Sequence, residues 1–319
     1  MLNSRRAAFA QGTKGNIVTQ CKSYLLFTKF FQLQSWPASL DTICLFAQFL
    51  SRSFATTQAI KNYLSGVKLM HILFDLPFPH IGKPELKLVI RGLARLNPFT
   101  PRQALPITPH ILLDMYQVMD IQTPLHATLW CCFLLGFYLF ARKSNLVPPS
   151  RFKFDSSKHL CRRDILLARD HLLVYIKWSK TIQNGERYLL IPLQALPGSP
   201  LCPRAAFVHM CKLLPAGGPR PAFLIPHGQG LVTLTHSSFT RHLRNILALS
   251  GHNPTGFSGH SFRRGGASFA LKVGIPGELI RAHGDWRSDA YLRYLDLSLQ
   301  HRSQVSSLMV KGISQQLAS

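Results

Sequence analysis

Acidic residues are scarce in this chain. Its 319 residues hold 13 Asp and Glu against 37 Lys and Arg, a formal net charge of +24. None precedes Asp41, and none falls between Glu186 and Glu278. A folded chain this basic repels itself unless a polyanion supplies counter-charge, so a partner is implied, with nucleic acid ahead of an anionic membrane. Paired cysteine motifs are also missing. The seven cysteines, Cys21, Cys44, Cys131, Cys132, Cys161, Cys202 and Cys211, form no CxxC and are odd in number, which argues against a disulfide framework and for a reducing compartment. Cys202, His209 and Cys211 lack a fourth ligand at knuckle or helical spacing, so no metal site is expected. The longest apolar run, 128–141, is shorter than the ~20 residues that span a bilayer and ends at Arg142 and Lys143; a buried helix is expected there, not a membrane anchor. Repeats and low-complexity tracts are absent too, which excludes a solenoid.

What is present suits a folded protein. Hydrophobic residues make up 46% and charged residues 16%, which excludes a disordered basic tail and supports one large or two ordinary domains. The cations spread over both halves. Up to residue 106 there are thirteen Lys and Arg against Asp41, Asp75 and Glu85. Arg5, Arg6, Lys14 and Lys22 read as a basic lead-in to the first helix. Ser39 or Asp41 can cap a helix through Leu50, and Thr56 or Thr57 another in which Ile60, Leu64, Val67 and Met70 recur at helical spacing. A third begins after Pro84, where Lys87, Arg91 and Arg95 step four residues apart along one face. With Lys61 and Lys68 before them, and Arg241 and Arg264 in the second half, these cations are candidate contacts to a phosphate backbone.

The proline-rich stretch 97–106 breaks the periodicity and marks a linker, giving domains 1–102 and 103–319. The first is all helical. The second reads as mixed α+β and mostly helical. Thr108-Pro109 and Thr123-Pro124 open helices, the latter over 125–141. Strand signals at 164–168, 171–178 and 187–192 imply a small antiparallel sheet. Helices are then expected over 202–214, 237–249, 261–273, 277–281 and 288–299.

Several residues stand out chemically. His260 and Arg263, three apart at a helix start, project to one side and can grip a phosphate, the arginine through paired N–H donors. Arg142 follows the apolar helix directly. Lys180 ends a strand at a turn. Downstream comes His283-Gly284-Asp285-Trp286-Arg287-Ser288-Asp289-Ala290-Tyr291-Leu292-Arg293-Tyr294.

In order, Arg142, Lys180, His260-x-x-Arg263, Trp286 and Tyr294 resemble the catalytic set of the tyrosine recombinases, the phage integrase family. The motifs Trp178-Ser179-Lys180-Thr181 and Trp286-Arg287-Ser288-Asp289-Ala290-Tyr291 are most similar to recombinases of DIRS and Ngaro retrotransposons or Crypton elements. The resemblance implies a SAM-like helical core-binding domain over 1–102 and a catalytic domain over 103–319. It implies cutting and rejoining of double-stranded DNA through a 3′-phosphotyrosine on Tyr294, with no metal or cofactor. Arg142 and Arg263 would clamp the scissile phosphate, Lys180 protonate the leaving 5′ oxygen, His260 assist proton transfer, and Trp286 support the phosphate. Homotetramers on paired sites, a nuclear location, and a tail 303–319 exchanged between neighbours are further expectations of the family.

The chain departs from the family pattern in two places. Asn145 stands where a carboxylate is usual, and Trp286 precedes Tyr294 by eight residues instead of nine. Trp286, His283 or Asp285 could therefore fill the intermediate place, and Tyr291 is a rival nucleophile. A DNA-binding descendant that no longer cuts is the alternative function, with a type IB topoisomerase third.

Overall fold

The computed structural model describes residues 8–9, 11–78, 82–99, 103–182, 186–294 and 299–317. Two compact units emerge, 1–102 and 103–319.

Among its described residues the first unit holds four helices, α1 (Gln11–Phe30), α2 (Leu40–Ser51), α3 (Thr57–Leu73) and α4 (Pro84–Leu96). Ser39 and Thr56 cap α2 and α3 by accepting from the backbone N–H three residues on, and Pro84 starts α4. Of the residues read as a lead-in, Lys14 and Lys22 lie within α1, whereas Arg5 and Arg6 fall outside the described residues. The glycine-dotted start of α1 precedes a buried face of Ile17, Cys21, Tyr24 and Phe27 at helical spacing. The core joins Tyr24 and Phe27 to Ile43, Phe46, Leu50, Ile60, Leu64, Leu86 and Ile90. At Gly66 an added Cβ would meet the Gln20 side chain at 2.3 Å, so α1 and α3 approach closely there.

A histidine is sealed into this core. His71 bonds through Nδ1 to the Val67 carbonyl at 2.8 Å, while its Nε2 accepts from the Ala38 N–H at 2.9 Å. That arrangement needs the neutral ring. Burial holds its pKa below the ordinary value, against the opposing pull of the Val67 carbonyl. Because the unfolded chain then binds more protons, stability should be fully present above pH ~6.5 and fall as the pH drops below it, by up to ~1.4 kcal/mol per unit. Urea midpoints of the full chain at pH 7.5 and 5.5 should differ by less in His71→Gln than in the wild type; an unchanged difference would refute the assignment.

The second unit is built around α6 (Pro124–Tyr138), buried on every side from Ala127 to Phe137. It follows α5 (Pro109–Gln117), and both helices begin at a threonine cap and a proline. The apolar helix stops short of the expected 141. Phe140 turns left-handed at φ 45°, and Arg142 is an extended residue leading into the short α7 (Lys143–Leu146). Strands β1 (Ile165–Leu167), β2 (His171–Ile176) and β3 (Leu189–Gln194) form an antiparallel sheet in that order, with Ile165 opposite Val174 and Ile176 opposite Leu189. Leu172, Val174 and Ile176 face inward. The β2–β3 connection carries Lys180.

Next come α8 (Pro203–Leu213), a second hairpin β4 (Leu224–His227) and β5 (Gly230–Thr233), then α9 (His236–Leu249), α10 (Ser261–Lys272) and α11 (Gly277–His283). The hairpin was not expected, since each strand is only four residues long and Pro226 lies within one. In place of the expected helix over 288–299 there is a 3₁₀ stretch, Asp289–Tyr294, and later α12 (Leu299–Leu317), which takes in most of the tail 303–319. Tyr291 in the 3₁₀ stretch packs with Trp286 on Phe140, Ala267, Ala270 and Ile280, and this packing overrides the local helical pattern. No described helix is long and apolar enough to cross a membrane.

Candidate active site

Two glycines bring helix α10 into direct contact with main chain. A Cβ on Gly265 would lie 1.8 Å from the Ile107 carbonyl oxygen, and one on Gly266 2.2 Å from that of Phe137. Only glycine permits so close an approach, and it sets Arg263 beside the end of α6. Phe133, stacked on Phe262 with ring centroids 5.1 Å apart, fills the space beneath.

Arg142, Asn145, Ser179, Arg263, His283, Gly284 and Asp285 line one cleft. Arg263 is 2% exposed. Its terminal nitrogens donate to the carbonyls of Phe140 and Gly284, the latter at 2.7 Å, and the Trp286 ring lies over its guanidinium, 3.6 Å from Cζ to the ring centroid. Trp286 therefore supplies the side chain of the 283–286 turn that meets the arginine, beside the Gly284 carbonyl. A Cβ on Gly284 would fall 1.7 Å from the Trp286 ring, so the turn needs glycine there. His283 turns elsewhere, Nε2 donating to the Tyr138 carbonyl at 2.8 Å.

His260 precedes the first turn of α10 with its ring open to solvent. Partial desolvation, and then the charges of Arg263, Arg142 and Lys143, hold its pKa below the usual histidine value. At neutral pH it is an uncharged proton acceptor set among cations.

Lys180 occupies the tip of a tight turn closed by two backbone hydrogen bonds between Ser179 and Ile182, and it is exposed. The turn is anchored from both sides. Asn145 accepts from the Arg142 N–H at 3.1 Å and donates its own N–H to the Trp178 carbonyl at 3.3 Å. A carboxylate could make only the first bond. Asp285, 8% exposed and left-handed at φ 53°, accepts from Ser179 Oγ at 2.8 Å, from Thr181 Oγ1 and from Arg187. Burial pushes the Asp285 carboxyl up, but these three donors together outweigh it and keep it ionised below the ordinary carboxylate range. Arg287 also donates to the Thr181 carbonyl.

Tyr291 is half-buried, its ring 6.2 Å from that of Trp286 and its hydroxyl 2.7 Å from where a Gly277 Cβ would stand. Tyr294 closes the 3₁₀ stretch, and its side chain lies outside the described ones.

The cations expected along DNA fall into separate groups. Lys61, Lys87 and Arg91 rim one groove between α3 and α4; Arg95 is exposed one turn beyond Arg91, and Lys68 is half-buried two turns beyond Lys61. In the second unit Arg241 joins Lys143, His236, Thr240 and Arg244 around another depression, whereas Arg264 donates to Gln103. Cys202 caps α8, His209 reaches the Ile121 carbonyl, and Cys211 accepts from Arg162, so those three side chains are directed to different partners.

No family model and no curated protein matches the chain. Solved structures do. XerH site-specific recombinase bound to palindromic difH substrate, in a post-cleavage complex, aligns at a TM-score of 0.58 with 12% identity over 85% of this chain and 70% of that one. A lambda integrase dimer bound to a COC′ core site aligns at 0.56 with 16% identity over 90% and 72%. The Tn1549 transposon integrase in complex with circular intermediate DNA aligns at 0.53 with 12% identity over 90% and 98%. The fold is that of the tyrosine recombinases.

Within this recombinase fold, the contributions of Asp285 and of the paired bonds of Asn145 were not legible in the sequence. Both act on a turn more than thirty residues away, and a lone acid or amide carries no spacing signal.

Proposed function

We propose that the chain is a site-specific DNA recombinase that cuts and rejoins double-stranded DNA through a 3′-phosphotyrosine. The observation that carries this reading is the shared cleft of Arg142 and Arg263, with His260 under the charge of both and Ser179, the residue before Lys180, in its lining. A tyrosine hydroxyl, with a pKa near ~10, attacks effectively only where the charge developing on phosphorus is neutralised. Two preorganised arginines meet that need. The Tyr294 oxygen bonds to phosphorus as the P–O5′ bond breaks. His260, uncharged, takes the tyrosine proton, and Lys180 gives one to the departing 5′ oxygen. The new phosphodiester retains the energy of the old, so a free 5′ hydroxyl can reverse the step. No metal or cofactor enters this scheme.

The finer reading assigns 1–102 to core binding and 103–319 to catalysis, with Lys61, Lys68, Lys87, Arg91, Arg95, Arg241 and Arg264 on DNA. It makes the chain a nuclear recombinase of a DIRS, Ngaro or Crypton-like element that acts as a homotetramer on paired sites. DNA bound to the XerH, lambda and Tn1549 proteins supports the substrate class.

A second reading is a descendant that binds DNA and does not cut. One observation favours it: Arg263 is buried, its terminal nitrogens bonded to carbonyls and its face covered by Trp286. Incubation with nicked duplex from the termini of its own element decides between them. A denaturant-resistant protein–DNA adduct, formed equally in chelator, is expected of the recombinase. Salt-sensitive binding without adduct would establish the silent reading.

A further inference from the structure

Asp285 is the one acidic side chain lining the cleft among the described residues. A carboxylate in a site meant for phosphate works against its ligand by charge, so its presence calls for a compensating task. Its oxygens indicate the task. They are taken up by Ser179 Oγ, Thr181 Oγ1 and Arg187, and the two hydroxyls belong to the residues immediately before and after Lys180. Arg187 neutralises the charge locally.

The neighbours of Asp285 extend the argument. Gly284 offers its carbonyl to Arg263, and Trp286 covers the same guanidinium. Three successive residues therefore bond to both halves of the chemistry, the outer two to the arginine and the middle one to the lysine turn. The left-handed backbone at Asp285 is unusual for a residue with a side chain, and Asp tolerates it better than most. Such a conformation persists where its surroundings enforce it, and here both flanking residues are engaged by Arg263.

We propose that Asp285 is a positioning residue for the strand-transfer reaction: by accepting from Ser179 and Thr181 it holds the Lys180 turn at the leaving 5′ oxygen, in fixed relation to Arg263. The proposal rests on the recombinase reading. In the step it serves, the P–O5′ bond breaks, the Tyr294 oxygen takes its place on phosphorus, and the proton leaving Lys180 Nζ ends on O5′. Displacing a general acid by about 1 Å costs on the order of 100-fold, and removing one costs about 10²- to 10⁴-fold.

The test uses the full chain and two nicked duplexes of the terminal site. One carries the natural 5′ oxygen at the scissile bond and the other a bridging sulfur, whose thiol pKa near ~8.5 lets it leave without a proton. On the oxygen substrate the single-turnover rate of adduct formation should fall on the order of 10- to 100-fold in Asp285→Ala. On the sulfur substrate it should stay within a few-fold of wild type, as it should for Lys180→Ala. Asp285→Asn, of the same shape, should fall between. Equal slowing on both substrates would overturn the positioning role while leaving the recombinase reading intact. A wild type that forms no adduct on either substrate would overturn both. Should Asp285→Ala fail to fold, Thr181→Val removes one of the same hydroxyls and must show the same oxygen-selective loss.

Discussion

Replacement of Tyr294 by phenylalanine is expected to abolish the covalent adduct, a loss of at least ~10³-fold, whereas Tyr291→Phe should keep it. The two tyrosines stand three residues apart in one 3₁₀ stretch, and sequence spacing alone leaves them rivals. Their settings separate them. Tyr291 is half-buried, packed with Trp286, and its hydroxyl is directed at the start of α11 beside Gly277. Bringing that hydroxyl to a phosphate would break up the small cluster of Phe140, Ala267, Ala270 and Ile280. Loss of one hydroxyl there should cost no more than about 1 kcal/mol of stability. The comparison is read on a denaturing gel with nicked duplex. An adduct that survives Tyr294→Phe and vanishes in Tyr291→Phe would reassign the nucleophile.

The second large effect is expected at Arg263, where stability and chemistry fall together. Arg263→Ala leaves the Phe140 and Gly284 carbonyls without their donor, opens a cavity beneath Trp286 and removes a stacked cation. A buried carbonyl stripped of its partner costs about 1–3 kcal/mol, and cavities of this size add to it, so a loss of about 3–5 kcal/mol is expected in urea unfolding. Adduct formation should drop a further ~10²- to 10³-fold in conditions where the variant remains folded, as when a preorganised oxyanion donor is removed. Arg263→Lys retains the charge but not the planar fork, and cannot serve both carbonyls while lying flat under the indole. It should recover less than half of the lost stability. A stable, inactive Arg263→Ala would show that the arginine serves chemistry alone.

Much of the architecture was readable because its signals are local. Ser39, Thr56, Thr108 and Thr123 cap helices through atoms three residues away, and Pro84, Pro109 and Pro124 mark first turns, so both cause and effect lie within one short segment. The elements that escaped are set by distant contacts. Helix α1 lacks a capping signal in the sequence and packs on Phe46 and Gly66, and the β4–β5 hairpin docks on α6, where Thr128 donates to the Leu224 carbonyl. Near the cleft, Arg142, Arg263 and Trp286 stood out in the sequence and do come together. The support beneath them was not legible: Asn145, Asp285 and the Gly265-Gly266 pair act on residues thirty or more positions away in the chain.

That glycine pair has a consequence for how the chain can vary. Since α10 rests on the carbonyls of Ile107 and Phe137, the separation between Arg263 and the segment carrying Arg142 is set by main-chain atoms in contact. Main chain is the same whatever side chains surround it. Apolar residues such as Phe133 or Leu146 can be exchanged for others of similar volume, and the core can drift through many sequences, without altering the span between the two arginines. The spacing of Arg263 from the Arg142 segment is thus written largely in backbone.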